Sequence, residues 1–477
     1  MHHRCVLVVG ILLVAGALPK RAVAQPLPAR IDSLLQEPRA AHAFWGISVY
    51  DLEADSLLYE RNENKGFLPA SNQKLFTTAA ALDLLGPEHR YETTLSFNGT
   101  TQDSVMRGDL RLVGSGDPTF GSTALKRTDP LREWANRLAE MGVRRIEGRL
   151  IGDDQEFLDG FYPDGWSVGY LTRQKGQQIG VRAGGLSYRD NTVPVTVRAT
   201  KPGAPPEVRI QPEGVLSVQN EAVTSERWRG STLLINRTFS TNKIVLTGSV
   251  ARSYGGVRNV PVSDPTAFTL RIFRKRLRAA GIETDLELVD ADALDGGREE
   301  GSPLFVYVSP PLAEIVTETN KRSNNFYAEQ ILRTYGWGGS IRGGIQRTES
   351  FLRRAGIDTR ALSLNDGSGL SRKNLVTPRS LRGLLARMDA HAAGEAFRAS
   401  IARGGERNTT LSRRLGQTPV QAKTGSLAFI RGLSGYAERP DGGSVAFVLF
   451  ANNYTGPSYQ ITHTMDDIVR LLTAPPS

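Results

Sequence analysis

The sequence predicts an α+β fold in which the core is interrupted by a large, mostly β insertion. Three observations support this fold class. Helical patterns occur near both ends of the chain, residues 91–305 read as short β-type runs between Gly, Pro, Asn and Asp, and two apolar runs around Asp441 form a C-terminal hairpin. At roughly 100 to 200 residues per domain, the 477 residues allow two to four domains.

Residues 1–24 have the pattern of a cleavable signal peptide. Arg4 precedes the apolar stretch Cys5–Leu18, and a small-x-small cleavage site, Ala22–Ala24, follows. The stretch is too short for a membrane-spanning helix, which needs about 20 apolar residues. Cleavage before Gln25 removes the only cysteine and three basic residues, so the net charge falls from +10 to +7. We expect a secreted protein, periplasmic or cell-wall associated, with no transmembrane anchor; a buried N-terminal helix is the alternative.

The first part of the core is predicted to contain a strand pair and one helix. Phe44–Asp51 and Ser56–Tyr59 alternate in the manner of two paired strands. Ser71 then precedes Asn72–Leu85, a run rich in Ala and Leu that stops at Gly86 and a proline. This helix has good start and stop signals.

The remaining elements divide between the insertion and the second part of the core. Clear examples in the insertion are strands at Leu110–Val113, Arg149–Ile151, Val193–Val197, Leu233–Ile235 and Lys243–Leu246 and helices at Asp129–Met141 and Pro265–Ala280. In the second part of the core we predict helices at Asn324–Tyr335, Ile345–Ala355, Ser380–Ala390 and Met465–Leu472 and strands at Val420–Ala422, Gly432–Glu438 and Val445–Ala451. The core therefore comprises residues 25–90 and 306–477, and residues 91–305 form one or two inserted subdomains.

Ser71 and Lys74 are candidates for nucleophilic catalysis. Residues i and i+3 of a helix lie on one face with Cβ atoms about 5 to 6 Å apart, so the Lys74 amine can reach the Ser71 hydroxyl. A lysine whose pKa is lowered by burial can take the proton of a serine. The alternative role of Ser71 is a helix N-cap. Ser240 and Lys243 repeat the spacing, but Thr238–Leu246 reads as a strand, where such residues point to opposite faces.

Two further motifs suit a peptide-binding catalytic site. Lys423, Thr424 and Gly425 begin the C-terminal β segment, where an extended peptide can pair with a strand edge while the lysine holds a carboxylate. The alternative is a solvent-exposed edge lysine. Ser323 and Asn325 open a predicted helix, and here the alternative is an N-cap alone.

Together, in this order, these motifs form the set found in serine acyltransferases that handle β-lactams. The sequence resembles the class C penicillin-binding proteins of low molecular mass, the D-alanyl-D-alanine carboxypeptidase/endopeptidase family, over nearly the whole mature chain. Further similar stretches are Gly114–Thr119, Gly148–Asp154 and Asp366–Arg372. The resemblance implies a penicillin-binding/β-lactamase-like transpeptidase core, an antiparallel sheet with helices, split by a large insertion.

The resemblance also implies roles for individual residues. Ser71 would attack the bond between two D-alanines with Lys74 as base, Ser323 would relay the proton to the leaving amine, and Asn325 would hold the substrate amide and orient Lys74. The resemblance implies that Lys423 and Thr424 bind the terminal carboxylate and that Gly425 follows them in the substrate-binding strand. The N–H of Ser426 would join that of Ser71 in the oxyanion hole, and Arg372 and Leu427 would contact the peptide side chain. Peptidoglycan peptides are the expected partners, and β-lactams the expected inhibitors.

One stretch departs from the family pattern. The family often carries an acidic residue that holds the amino group of the third stem-peptide residue, but Gly165–Arg189 contains none and includes Arg173, Lys175 and Arg182 instead. The identity of the third residue therefore stays open, as do the balance between carboxypeptidase and endopeptidase activity, the rate of deacylation after β-lactam attack and the oligomeric state.

Rival functions rest on weaker patterns. Gly165–Gly169 fits the nucleophile elbow of α/β-hydrolases around Ser167 but lacks the strand before it. A non-enzymatic β-lactam sensor or cell-wall binding protein on the same fold, or a β-lactamase, would also carry these motifs. The four mature histidines lack metal-ligand spacing, so we predict no metal and no cofactor. Nucleic acid is not an expected partner, since the longest basic run is Arg274–Arg276.

Overall fold

The computed structural model describes residues 25–125, 128–158, 162–174, 180–294 and 301–475. The predicted signal peptide lies outside the described residues. Among the helices of the described ranges, none combines the length and the apolar character needed to cross a membrane.

Eleven α-helices occur in the described ranges. They are α1 (Leu27–Gln36), α2 (Gln73–Leu85), α3 (Pro130–Glu140), α4 (Val168–Thr172), α5 (Pro265–Ala279), α6 (Leu312–Lys321), α7 (Asn325–Thr334), α8 (Ile341–Arg354), α9 (Pro378–Asp389), α10 (Gly394–Ala399) and α11 (Ser458–Leu472). The predicted helices all lie within or close to these bounds.

The same ranges contain nineteen strands. They are β1 (Phe44–Asp51), β2 (Ser56–Arg61), β3 (Glu92–Gln102), β4 (Val105–Val113), β5 (Arg145–Asp153), β6 (Arg173–Gln174), β7 (Thr192–Arg198), β8 (Glu207–Ile210), β9 (Ser217–Asn220), β10 (Val223–Thr224), β11 (Leu234–Arg237), β12 (Lys243–Thr247), β13 (Ser249–Val250), β14 (Gly255–Pro261), β15 (Glu283–Asp290), β16 (Ser302–Val308), β17 (Val420–Leu427), β18 (Ile430–Glu438) and β19 (Ser444–Asn452).

A five-stranded antiparallel sheet joins the two ends of the chain. Its order is β17-β18-β19-β1-β2, so the first strands of the core pair with the C-terminal hairpin. Along β19 alternate side chains point to opposite faces. Phe447 and Leu449 pack in the layer that contains α1 and α11, whereas Val448 and Phe450 pack in the layer that contains α2, α6, α7 and α9. This arrangement confirms the predicted α+β fold.

The inserted part of the chain has a core of its own. Its largest sheet has the order β15-β5-β4-β3-β16, with parallel pairs at β4-β5 and β5-β15 and antiparallel pairs elsewhere. Leu131, Trp134 and Leu138 of α3 and Phe273 of α5 pack in its hydrophobic cluster. Smaller sheets have the orders β14-β7-β8 and β6-β11-β12-β9. Strand β16 crosses the boundary predicted between residues 305 and 306, because it pairs with β3 as far as Val308.

Candidate active site

Ser71 and Lys74 lie one turn apart where the chain enters α2. Ser71 is in a short 3-10 turn, Ala70–Asn72, and the Lys74 Nζ donates a hydrogen bond of 3.1 Å to its Oγ. The residue at the N-cap of α2 is Asn72, so Ser71 does not take the alternative capping role. Ala70 has a φ of 47°, a left-handed conformation that is uncommon outside glycine. This change of backbone direction lies immediately before Ser71, the residue that bears the hydroxyl.

The Lys74 amine is enclosed by acceptors. Its side chain is fully buried, and besides Ser71 it donates to Asn325 Oδ1 at 2.6 Å and to the Ser368 carbonyl at 2.7 Å. Burial lowers the pKa of Lys74 to about 7, although the nearby carboxylates of Asp366 and Glu329 act to raise it. The amine is therefore set up to lose and regain a proton near neutral pH.

Ser323 and Asn325 occupy the junction between α6 and α7. Asn324 is the N-cap of α7, and its side chain accepts from the Tyr327 N–H at 3.2 Å. Ser323 therefore has no capping role, and its Oγ accepts a hydrogen bond of 2.9 Å from Lys423 Nζ. Ser323 also has a positive φ, 59°. Strained backbone of this kind clusters at functional sites.

Lys423, Thr424 and Gly425 lie on β17, an edge strand of the core sheet. Lys423 is fully buried rather than exposed at the edge, and it also donates to the Thr424 carbonyl at 2.8 Å. Burial lowers the pKa of Lys423 well below its usual range, and the charge of Lys74 adds to this effect. At Gly425 a Cβ would lie 2.6 Å from Asn72 Nδ2, so the strand approaches the Ser71 turn closely only because this residue has no side chain.

A cavity of about 790 Å³ opens over these residues. Six residues predicted from the sequence line it: Ser71, Ser323, Asn325, Thr424, Ser426 and Leu427. One part of the lining is apolar, with Tyr170 and Leu370 beside Leu427, and another part is polar, with Glu318, Arg322 and Thr410 near Ser323. The insertion contributes Tyr170 and also Thr123, Ala124, Asp190 and residues 257–259.

Arg372 is a predicted site residue that does not line this cavity. Its side chain is exposed, and Nη2 donates to the Ala428 carbonyl at 3.4 Å. It lies at the turn between β17 and β18, on the side of Leu427. Arg372 can therefore contact only a ligand that extends beyond the cavity lining.

The rival serines are placed elsewhere. Ser167 precedes the five-residue helix α4 and does not line the cavity; part of its approach lies outside the described residues. Ser240 lies in the turn between β11 and β12, so the strand predicted over Thr238–Leu246 is wrong at its start, and Lys243 is exposed. A φ of 54° at Ser240 reverses the chain there.

Within the described ranges, three carboxylates of the insertion lie close enough together to hold a cation. Asp154, Asp290 and Asp292 bring their oxygens within 4.8 Å of one another. Burial raises the pKa of Asp154 to about 6, and the two neighbouring carboxylates add to this effect. None of the three lines the cavity.

Comparison with known protein families assigns this chain to one of them. A family model described as "D-Ala-D-Ala carboxypeptidase 3 (S13) family" matches residues 27–474. The chain belongs to the S13 family. Among curated relatives, a D-alanyl-D-alanine carboxypeptidase from Actinomadura sp. (strain R39) is 32% identical over 447 residues, which cover 90% of this chain and 81% of the relative. The D-alanyl-D-alanine carboxypeptidase DacB of Haemophilus influenzae is 25% identical over 423 residues, 86% of this chain and 85% of that protein.

Solved structures share the fold of this S13 family member. Penicillin binding protein 4 (dacB) from Haemophilus influenzae superimposes with a TM-score of 0.80 at 23% identity, over 93% of this chain and 99% of that one. A predatory peptidoglycan endopeptidase from Bdellovibrio bacteriovorus gives a TM-score of 0.52 at 15% identity, over 91% and 94% of the two chains.

The S13 chain also holds site residues that the sequence motifs did not reveal. Glu329 and Asp366 are buried beside Lys74, and Ser368 supplies one of its three acceptors. Asp366 and Ser368 lie in the stretch 366–372, to which the family resemblance assigns no role before Arg372. Glu329 follows Asn325 by one helical turn, and that spacing was the available signal for it.

Proposed function

We propose that this protein is a serine D-alanyl-D-alanine carboxypeptidase that acts on peptidoglycan stem peptides through an acyl-enzyme at Ser71. Membership of the S13 family fixes the reaction class. The observation that carries the assignment of residues is the buried Lys74 amine, 3.1 Å from the Ser71 hydroxyl, with a pKa lowered to about 7.

In the acylation step the Ser71 oxygen forms a bond to the carbonyl carbon between the two D-alanines, and its proton passes to the Lys74 lone pair. The C–N bond to the terminal D-alanine then breaks. The Ser323 hydroxyl gives its proton to the leaving amine and is reprotonated by the proton that Lys74 took from Ser71. Its 2.9 Å contact with Lys423 holds the hydroxyl in place. Water then gives a proton to the Lys74 amine as it attacks the ester carbon, and Lys74 returns that proton to the Ser71 oxygen as the ester C–O bond breaks.

Substrate binding follows from the edge position of β17. The substrate peptide would lie against this strand, with its terminal carboxylate at Lys423 and Thr424 and its amide at Asn325. The N–H groups of Ser71 and Ser426 would stabilise the oxyanion; removal of one such donor typically costs about 3 to 4 kcal/mol. The apolar lining around Leu427 and Leu370 suits the peptide side chain, with Arg372 beyond it for a side-chain carboxylate.

The same site is proposed to cut peptide cross-links. The lining continues past Ser323 to Glu318, Arg322 and Thr410, so the leaving-group side extends beyond the contacts that a single alanine needs. Hydrolysis of a cross-linked muropeptide dimer by the purified protein tests this part of the proposal. A protein that releases D-alanine from a pentapeptide and leaves the dimer intact is a carboxypeptidase alone.

The location proposed is the periplasm or the cell wall, after export and cleavage before Gln25. The pattern of residues 1–24 supports it. N-terminal sequencing of the exported protein tests it, and a mature chain that begins elsewhere would contradict the predicted cleavage site.

β-Lactams are proposed to acylate Ser71 and to leave slowly. Incubation with a labelled penicillin tests the nucleophile: label is expected on the wild type, Ser167→Ala and Ser240→Ala, and none on Ser71→Ala. Labelling that survives Ser71→Ala would overturn the assignment. Release of D-alanine from a pentapeptide distinguishes the enzyme from a β-lactam sensor, and rapid turnover of penicillin would instead indicate a β-lactamase.

A further inference from the structure

A loop beneath Lys74 is held by a buried carboxylate. The loop contains Asp366, Gly367 and Ser368, and the Ser368 carbonyl is the third acceptor of the Lys74 amine, at 2.7 Å. Glu329 of α7 accepts the N–H of Gly367 at 3.2 Å on one oxygen and the N–H of Ser368 at 2.8 Å on the other. Its side chain is almost completely buried. The two oxygens of Glu329 thus hold Gly367 and Ser368, and Ser368 is the residue that contacts the lysine.

The opposite side of this loop is fixed by α2. Thr77 Oγ1 donates to the Gly367 carbonyl at 2.8 Å, and Gln73 Nε2 donates to the Asp366 carbonyl at 3.2 Å. The loop is therefore held between the helix that bears Lys74 and the helix that bears Asn325. When Glu329 is ionised, its two hydrogen bonds are charge-assisted and therefore roughly twice as strong as neutral ones. The hydrogen bonds from Gly367 and Ser368 favour the ionised form, whereas burial and Asp366 raise the pKa of Glu329 to about 7.

The three partners of the Lys74 amine differ in chemistry. Asn325 Oδ1 and the Ser368 carbonyl can only accept hydrogen bonds, whereas the Ser71 hydroxyl can also donate one. A neutral amine has two N–H groups and one lone pair. When the two N–H groups are taken by Asn325 and Ser368, the lone pair is left directed at Ser71.

We propose that Glu329 is a positioning residue for acyl transfer: by fixing the Ser368 carbonyl, it directs the lone pair of neutral Lys74 at the Ser71 hydroxyl. This inference rests on the proposed function, in which Lys74 takes the Ser71 proton. Glu329 does not touch the substrate, so its effect passes through Ser368 and Lys74.

The charge of Glu329 adds a second effect on the same lysine. The charged groups that act on Lys74 are Asp366 in the loop, Glu329 on α7 and Lys423 on β17. Because its pKa is raised to about 7, Glu329 carries its charge mainly above neutral pH. Replacement by an uncharged side chain removes the charge that there stabilises the protonated amine, so the pKa of Lys74 should fall. The acid limb of the acylation rate should then move to lower pH.

The test is the rate constant for acylation by a labelled penicillin, measured with Glu329→Gln from about pH 5 to about pH 9, with the thermal unfolding midpoint in parallel. The amide N–H₂ of glutamine faces one of the two loop N–H groups and cannot accept from it. We therefore expect the plateau, the constant rate reached at high pH, to be at least about tenfold lower, and the acid limb, the fall in rate on the acid side, to lie at lower pH. Asp51→Asn is the matched control. Asp51 is another buried carboxylate that holds a turn, through the N–H of Ala54 at 2.9 Å; it does not line the cavity, and its variant should keep both the wild-type plateau and the wild-type acid limb.

Two outcomes would overturn the inference. One is a Glu329→Gln variant with the wild-type plateau and limb; the other is a lower plateau with an unmoved limb and a lower unfolding midpoint, which indicates a purely structural role. If Glu329→Gln does not fold, Glu329→Asp serves as the second variant, because it keeps the charge and shortens the side chain. This variant should lower the plateau of the acylation rate without moving the acid limb. An unchanged plateau would refute the positioning role. A wild type that takes no label on Ser71 would instead refute the proposed function.

Discussion

Two serine–lysine pairs meet at the site, and each hydroxyl is within hydrogen-bond distance of a buried amine. Lys74 contacts Ser71 at 3.1 Å, and Lys423 contacts Ser323 at 2.9 Å. Burial lowers the pKa of both lysines, and the positive charge of Lys74 further lowers that of Lys423. Two buried amines so close together disfavour two ammonium groups, so one neutral amine is available as a base without histidine.

The pH dependence of acylation follows from the pKa of Lys74. The pKa lies at about 7, far below the usual 10.5, so the neutral base predominates above about pH 7 and is protonated below it. We predict that the rate constant for penicillin acylation falls about tenfold per pH unit below 7 and is level above it. Labelling with penicillin, quenched at successive times at each pH, measures this rate constant. A rate that is constant from about pH 5 to about pH 9 would contradict the role of Lys74, and Lys74→Arg should give no label at any pH.

At the scale of elements, the site depends on how closely β17 approaches the Ser71 turn. A Cβ at Gly425 would lie 2.6 Å from Asn72 Nδ2 and 2.7 Å from the Pro69 carbonyl, and backbone atoms cannot give way cheaply. The strand and the turn are therefore in contact through backbone. That contact sets the distance between Lys423 and Thr424 on one side and Ser71 on the other.

Gly425→Ala should separate these two elements. We predict an acylation rate at least about tenfold lower and a loss of stability of about 1 to 3 kcal/mol, because the strand must shift to accommodate the methyl group. Labelling kinetics and thermal unfolding measure the two effects. Gly416→Ala is the matched control, since no atom lies within 4 Å of its Cβ and its φ is not positive. A Gly425→Ala variant with wild-type kinetics would show that the close contact is not required.

Local patterns predicted some elements to within one residue of their observed bounds. β1 has the predicted bounds, and α2 begins one residue later than predicted. Helix α1 was not predicted, because its prolines at 26 and 28 resemble a loop, although proline is tolerated in the first turn of a helix. The parallel pair of β5 with β15 joins strands far apart in sequence, and periodicity within either strand says nothing about its partner.

The same limit applies to the site. Ser71 and Lys74 could be predicted as neighbours because helical spacing alone brings them together. Glu329 could not be paired with Ser368, because 39 residues separate them and only tertiary packing places both beside α2. The motifs thus predicted six of the residues that line the cavity together with the two buried lysines, whereas Glu329 and Ser368 became visible only with the fold.

At the scale of the whole molecule, the insertion contacts the helix that carries Asn325. Gln330 of α7 is fully buried; its Nε2 donates to the carbonyls of Gly116 at 3.0 Å and Gly184 at 3.1 Å, and its Oε1 accepts from the Gly184 N–H at 3.0 Å. Tyr327, one turn earlier, shares a hydrogen bond of 2.7 Å with Ser122. The insertion therefore supports α7 from behind, besides lining part of the cavity.

Gln330→Leu should weaken both the docking of the insertion and catalysis. The change leaves Gly116 and Gly184 with buried backbone groups that lose their partner, and each such group costs about 1 to 3 kcal/mol. We predict a lower thermal unfolding midpoint and slower penicillin acylation, because α7 also places Asn325 at Lys74. Gln346→Leu, on the exposed face of α8, should change stability by no more than about 0.5 kcal/mol. A Gln330→Leu variant that unfolds at a lower temperature yet acylates at the wild-type rate would show that the insertion stabilises the core without positioning α7.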